Sequence, residues 1–224
     1  IVVADEVTDG GCDDLGPNVT VIRNETRRGC GRCKLQAIQA AKGDVLVFLD
    51  AHQNVLAGKL SDMATRAWQE ETIFTPVIRN IEYDEQWNPR MPNTHNQIPC
   101  ESGMQLEKGQ YMVKPKPWMR AHHLQEVRMV GVGFAISRKT LARIGGLNAY
   151  VGLHGSQERG IALRAFMAKV PVKLDSSVVL GHEFRAGKPR PVGYKRYTVK
   201  DQSRNFWQAY FVVAGDAAFE KLKP

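Results

Sequence analysis

The chain has 224 residues, a formal net charge of +8, 43% hydrophobic residues and 24% charged residues. This length is enough for one α/β domain over residues 1–224. It contains no apolar run of the roughly 20 residues that a membrane span needs and no visible signal peptide, so we expect no membrane partner and a cytoplasmic location, in the host if the protein is viral. The basic charge indicates a polyanionic partner, and the oligomeric state stays open.

Strands and helices alternate along the first part of the chain. This alternation predicts an α/β fold with a mostly parallel central sheet flanked by helices. The predicted elements are strands at residues 1–4 and 19–22, a helix at 31–41, a strand at 45–49, a helix at 57–69 and a strand at 72–76.

A proline-containing segment with Trp87 and Trp118 interrupts the pattern at residues 80–126. We expect a variable, structureless insert on the acceptor side, because long irregular segments in compact domains are usually functional. After it the predicted elements are strand structure at 127–137, helices at 138–144 and 157–169, a strand at 172–180 and a helix at 201–213.

Metal-binding residue types follow two of the predicted strands. Asp50 and His52 come directly after the apolar strand Val45–Leu49, and His182 follows the strand at 172–180. Ligands of open α/β sheets bind at the carboxyl ends of strands, and period-two spacing lets Asp50 and His52 point the same way. Both residue types bind divalent metals. A strand that simply ends in a polar turn is the alternative.

Six short motifs keep the order and spacing of one family. The chain resembles GT-A glycosyltransferases of the family 2 type, most closely the catalytic domain of polypeptide N-acetylgalactosaminyltransferases. The resemblance implies a GT-A fold in which the family's first strand is missing from this sequence. The motifs are Val2-Val3-Ala4-Asp5, residues 24–29, residues 48–52, residues 131–134, residues 154–158 and Leu180-Gly181-His182-Glu183-Phe184-Arg185.

The resemblance also implies roles for single residues. Asp5 is similar to the carboxylate that meets the uracil, and Arg27 to the arginine that reaches the nucleotide. Gly133 belongs to the strand that passes beneath the donor sugar. His182 is similar to the third metal ligand, which joins Asp50 and His52.

The same residues suit nucleotide-sugar chemistry. A divalent cation held by one carboxylate and two imidazoles can offset the charge of a leaving diphosphate. Two nitrogen ligands shift the preference from magnesium toward manganese or a later metal. Arg185 and Lys188, with Arg190, could add charge-assisted contacts to the diphosphate, although each could also be a solvated surface charge.

Gln157 and Glu158 stand where the family has an acid–amide pair. Inverting relatives carry a general base at the second position, so Glu158 could accept the proton of an acceptor hydroxyl. Retaining relatives have an amide there, which leaves the stereochemistry open. Alternatively, Glu158 only stabilises a helix N-terminus through the helix dipole.

We therefore expect a Mn²⁺-dependent glycosyltransferase that uses a UDP-sugar. Because the chain is basic, we favour a hydroxymethylated base in DNA as acceptor, reached by base flipping. A hydroxyl of a protein or glycan is the alternative, as is a non-catalytic relative that binds nucleic acid or glycan. Two histidines and a carboxylate also form the metal site of iron oxygenases, but those usually have double-sheet β folds.

Overall fold

The structure, a computed structural model, describes most of the chain up to residue 183. No helix within this part is both long and apolar enough to span a membrane. The predicted helix at 201–213 lies outside the described residues, and a single domain over residues 1–224 stays a prediction. The described residues are 1–5, 12–86, 88–90, 96–97, 102–107, 110–115, 126–127, 133–147 and 157–183.

Up to residue 80 the elements follow the predicted order with one addition, the strand β4. We expected a helix from residue 57, but a strand comes first, and Gly58 with φ +76° separates it from the helix. The elements are β1 (Val2–Asp5), β2 (Thr20–Arg23), α1 (Cys30–Ala40), β3 (Val45–Leu49), β4 (Gln53–Ala57), α2 (Leu60–Gln69) and β5 (Ile73–Asn80).

The prediction that residues 80–126 lack structure was wrong. Two antiparallel pairs lie there, β6 (Glu82–Tyr83) with β7 (Pro89–Arg90) and β9 (Ser102–Glu107) with β10 (Gln110–Pro115). Prolines at strand ends need not break a pair, because those positions need not donate to the ladder. A further strand, β8 (Asn96–Gln97), pairs with β5. That the segment is variable and faces an acceptor stays a prediction.

The remaining described elements agree with the prediction. They are β11 (Gly133–Ser137), α3 (Arg138–Arg143), α4 (Gln157–Met167) and β12 (Val172–His182). Residues 128–132 of the predicted strand at 127–137 lie outside the described residues. The helix α3 follows β11 without a loop because Ser137 caps it: its Oγ accepts a hydrogen bond from the backbone N–H of Thr140 at 3.1 Å.

The central sheet has the order β3-β11-β5-β12-β4, with β8 beside β5. Its strands are mixed in direction rather than mostly parallel. The pair β5–β12 is parallel, whereas β11 is antiparallel to both β3 and β5, and β4 is antiparallel to β12. The strands β3, β5 and β12 therefore still point the same way. The parallel pair β1–β2 forms a separate small sheet.

Helices cover both faces of the central sheet. Alternation along β5 sends Ile73 and Val77 to one face and Phe74 and Ile78 to the other. The first face packs against Ile38 of α1, against Leu141 of α3 with Ile144 just after it, and against Ile161 and Ala165 of α4. The second face packs against Met63 and Ala67 of α2. This is the layered α/β arrangement that the sequence predicts.

Candidate metal and donor site

The structure brings Asp50, His52 and His182 together. Each offers one ligand atom, and these atoms all lie within 4.8 Å of one another. His182 Nε2 lies 3.6 Å from Asp50 Oδ2, and the two imidazole rings have centroids 4.5 Å apart. We call these three residues the metal triad.

A curved sheet makes this meeting possible. The end strands β3 and β4 are joined by residues 50–52 alone. From Leu49 to Gln53 the chain spans at most about 14 Å. In a flat sheet β3 and β4, four strand spacings apart, would be separated by about 19 Å. Irregular pairing of β12 with both β4 and β5 accompanies the curvature. The carboxyl ends of β3 and β12 lie at the same edge because the two strands point the same way, and the curvature brings them close together.

Asp50 and His52 stand in a turn rather than on a continuing strand. The backbone N–H of Gln53 donates to the carbonyl of Asp50 at 3.2 Å, and the N–H of Asp50 donates to Gln53 Oε1 at 2.8 Å. The predicted common orientation therefore comes from turn geometry and not from strand pleating. The backbone N–H of Glu183 donates to the carbonyl of His52, which ties the turn to the end of β12. The N–H of Ile81, just after β5, donates to the carbonyl of His182.

The donor set fits a divalent metal. Burial raises the pKa of the Asp50 carboxyl, but the neighbouring His182 and then the Lys34 ammonium outweigh it. The pKa therefore lies below its usual value, and the ligand is a carboxylate at neutral pH. One carboxylate and two imidazoles suit manganese or a later metal better than magnesium.

An ion pair that the sequence analysis missed lies beside the metal triad. Lys34 Nζ of α1 donates to Glu158 Oε1 of α4 at 3.2 Å, and only 16% and 26% of the two side-chain surfaces are exposed. Burial lowers the pKa of Lys34, but the charge of Glu158, with smaller contributions that include Asp50, raises it well above its usual value. Lys34 is therefore an ammonium ion.

A sequence signal for Lys34 existed. It lies four residues before Ile38 and seven before Ala41, so it occupies the apolar stripe of α1 that packs on the sheet. A lysine in that stripe needs a partner inside the protein. The sequence alone did not identify Glu158 as that partner, because 124 residues separate them.

Gly133 begins β11 and pairs with Leu49, the residue before Asp50. A Cβ at Gly133 would lie 2.7 Å from Leu180 Cδ1 and 3.7 Å from the carboxamide of Gln53. A side chain would therefore displace the buried Leu180 side chain and come into ordinary contact with Gln53 in the turn. This position supports a glycine requirement, and contact with a donor sugar stays a prediction.

The other predicted site residues are spread along the chain. Asp5 ends β1 opposite Arg23, and Arg27 is exposed between β2 and α1. Gln157, buried, is the first residue of α4 and precedes Glu158. Their roles stay predictions. Arg185, Lys188 and Arg190 lie outside the described residues.

The fold and the triad define a GT-A-like protein with a candidate metal centre, and comparisons with known proteins agree. The model of glycosyl transferase family 2 matches residues 2–128, more than half of the chain, and the chain belongs to this family. The predicted resemblance is therefore confirmed, and with it the GT-A-like α/β fold class, although the strand directions are mixed.

Curated relatives and a solved structure carry the likeness further. A probable N-acetylgalactosaminyltransferase 9 of Caenorhabditis elegans is 28% identical over 182 residues, covering 78% of this chain and 31% of the relative. The polypeptide N-acetylgalactosaminyltransferase 9 of Homo sapiens is 24% identical over 176 residues, covering 76% and 28%. A crystal structure of GalNAc-T7 with UDP, GalNAc and Mn²⁺ has a TM-score of 0.58 and 17% identity, covering 94% of this chain and 41% of that one. The chain thus spans about a third of its curated relatives.

Proposed function

We propose that the protein is a metal-dependent glycosyltransferase that moves a sugar from a UDP-sugar to a hydroxyl of a polypeptide or glycan. The observation that carries this proposal is the metal triad of Asp50, His52 and His182 at the carboxyl edge of a GT-A-like sheet. A double-sheet β fold, which iron oxygenases with similar ligands usually have, does not match this architecture.

The triad residues would hold Mn²⁺. Bound there, the cation supplies positive charge that stabilises the departing diphosphate. Asp5 and Arg27 would bind the nucleotide, and Arg185 and Lys188 would add charge-assisted hydrogen bonds to the phosphates. Support for the roles of Asp5, Arg27 and Arg185 comes from their positions in the family motifs, whereas the role of Lys188 rests on its charge.

The transfer forms one bond and breaks another. The acceptor oxygen bonds to the anomeric carbon, and the bond from that carbon to the β-phosphate oxygen breaks, with the electron pair leaving on UDP. Glu158 would take the proton of the acceptor hydroxyl, with Gln157 beside it at the start of α4. A base on the acceptor side favours inversion of the anomeric configuration.

The relatives favour a polypeptide over DNA as acceptor. The curated relatives compared above are named as N-acetylgalactosaminyltransferases, several of them as polypeptide transferases, which makes UDP-GalNAc the first donor to test. The prediction of a hydroxymethylated base in DNA rested mainly on the net charge of +8. Cationic side chains serve a diphosphate donor equally well, so the charge does not require nucleic acid.

UDP release tests the proposal directly. Purified protein is incubated with UDP-GalNAc and Mn²⁺, alone, with a Ser/Thr-rich peptide, and with hydroxymethylated DNA. We expect release that EDTA abolishes, that the peptide stimulates, and that falls at least about 100-fold in Asp50→Asn. Asp62→Asn, in α2, is the matched control and should retain full activity.

Each other outcome has a definite meaning. Stimulation by DNA alone would contradict the polypeptide acceptor and restore the nucleic-acid acceptor. Equal release by the wild type and Asp50→Asn would contradict a role for the triad. No release with any UDP-sugar would favour a non-catalytic binding protein.

A further inference from the structure

The pair of Lys34 and Glu158 joins two helices at the metal triad. The 3.2 Å contact bridges α1 and the first turn of α4, and both side chains are largely shielded from water. Surface ion pairs contribute little because water screens them. A largely buried pair holds both groups in place more strongly than a surface pair does, because separating them would leave each charge buried without a partner.

Lys34 also lies within electrostatic range of Asp50. The Lys34 ammonium contributes to lowering the pKa of Asp50, and Asp50 contributes to raising the pKa of Lys34. One lysine thus interacts electrostatically with two carboxylates of different expected roles, Asp50 as a metal ligand and Glu158 as a residue facing the acceptor. The Lys34 ammonium therefore offsets part of the negative charge of both Asp50 and Glu158.

We propose that Lys34 is a positioning residue for sugar transfer, holding Glu158 by one carboxylate oxygen so that the other oxygen meets the acceptor hydroxyl. This inference rests on the proposed function. A carboxylate has two oxygens with several acceptor sites, so the bond to Oε1 leaves Oε2 able to accept a proton. A general base must lie within about 2.6–3.2 Å of the hydroxyl, and a fixed rotamer meets that requirement.

The predicted effect is on turnover rather than on binding. In Lys34→Met the stem remains but the ammonium is lost, so Glu158 loses its anchor. We expect kcat to fall about 10- to 100-fold, less than the roughly 10²–10⁴-fold that a general base contributes, because Glu158 is displaced rather than removed. The KM for UDP-sugar should change less than about 3-fold. Lys34→Arg keeps the charge and a donor, and should recover kcat to within about 3-fold of the wild type.

A double-mutant cycle tests whether Lys34 acts through Glu158. If it does, Lys34→Met should reduce kcat no further once Glu158→Gln is present, within about 2-fold. The matched control is Lys173→Met, which breaks another partly exposed lysine–glutamate pair, that of Lys173 with Glu70. Lys173 lies at the start of β12, nine residues before His182, and its loss should leave kcat unchanged.

Metal affinity separates positioning from a general structural role. Removing a positive charge near Asp50 should leave the Mn²⁺ dissociation constant unchanged or lower it. Damage to the site as a whole would raise it. Calorimetric Mn²⁺ titration of Lys34→Met therefore gives a readout besides activity. If Lys34→Met does not fold, as judged by thermal melting, Lys34→Leu replaces it, since it also removes the donor to Glu158 and keeps an apolar stem.

The outcomes distinguish this inference from the proposed function. A wild type that releases no UDP from any UDP-sugar overturns the proposed function and the role of Lys34 with it. An active wild type in which the effects of Lys34→Met and Glu158→Gln multiply, or in which Lys34→Met weakens Mn²⁺ binding, overturns the role of Lys34 alone. The role of Lys34 is supported if the kcat losses of Lys34→Met and Glu158→Gln do not multiply and if Lys34→Met binds Mn²⁺ at least as tightly as the wild type.

Discussion

Gln53 fixes the turn of the metal triad by two hydrogen bonds with Asp50. Its backbone N–H donates to the carbonyl of Asp50, and its side-chain Oε1 accepts from the N–H of Asp50. This reciprocal arrangement sets the direction in which the Asp50 carboxylate leaves the backbone. Groups that orient metal ligands typically change metal affinity 10- to 100-fold when they are removed.

Gln53→Met should therefore weaken Mn²⁺ binding. The variant keeps the length of the side chain but removes Oε1, so the N–H of Asp50 loses its acceptor. We expect the Mn²⁺ dissociation constant from calorimetry to rise about 10-fold. Gln53→Glu, which keeps the acceptor oxygen, should bind at least as well as the wild type, and the exposed Gln39→Met serves as control. An unchanged constant in Gln53→Met would contradict this role.

Sequence reasoning identified the three residues of the metal triad and missed their neighbours. Asp50, His52 and His182 were predictable because metal-binding residue types follow strand ends. Gln53 and Lys34 were not, because their importance depends on contacts through space. For Lys34 the sequence contained half of the signal, a lysine on an apolar helix face, but its partner Glu158 lies in another helix.

At the scale of elements, Arg138 connects α3 to the end of α1. It donates to the carbonyls of Gly43 at 2.8 Å, of Ile38 at 3.1 Å and of Ala41. The last carbonyls of a helix have no partner within the helix, so a cation there satisfies them and interacts favourably with the helix dipole. The helix that carries Lys34 is thus anchored at its carboxyl end.

Arg138→Met should destabilise the fold. The carbonyls lose three bonds from a charged donor, and we expect the free energy of unfolding to fall by about 1–3 kcal/mol. Urea unfolding followed by circular dichroism measures this change. The neighbouring Lys139, whose side chain is 70% exposed and pairs with Glu71, gives the control Lys139→Met, which should leave the unfolding midpoint nearly unchanged. Equal midpoints for both variants would contradict the anchoring role.

Element types were more predictable than strand pairing. The helices α1, α3 and α4 and the strands β3 and β12 were predicted because apolar periodicity and glycine boundaries are local signals. The strand β4 was missed because Gln53–Ala57 directly follows the turn at residues 50–52 and has little periodicity of its own. The direction of β11 was missed because antiparallel insertion between β3 and β5 leaves no trace in local composition.

At the scale of the whole molecule, the curvature of the sheet produces the site. The strands β3 and β12 are separated by β11 and β5 in the sheet order, and only curvature brings Asp50 to His182. In a flat sheet with the same strand order, Asp50 and His52 would lie too far from His182 to share a metal. Sequence reasoning reached this architecture through resemblance to family 2, which membership in that family now confirms, whereas a cytoplasmic location stays a prediction.

Mn²⁺ titration of the wild type, Asp50→Asn and His182→Asn, with calorimetric and thermal-melting readouts, tests the metal triad most directly. We predict one saturable site in the wild type, weakened at least about 10-fold in each variant. At 100 times the dissociation constant, bound Mn²⁺ should stabilise the wild type by about 2.7 kcal/mol. Asp62→Asn should match the wild type. Wild-type affinity in both triad variants, or no saturable binding to the wild type, would contradict a metal site at Asp50, His52 and His182.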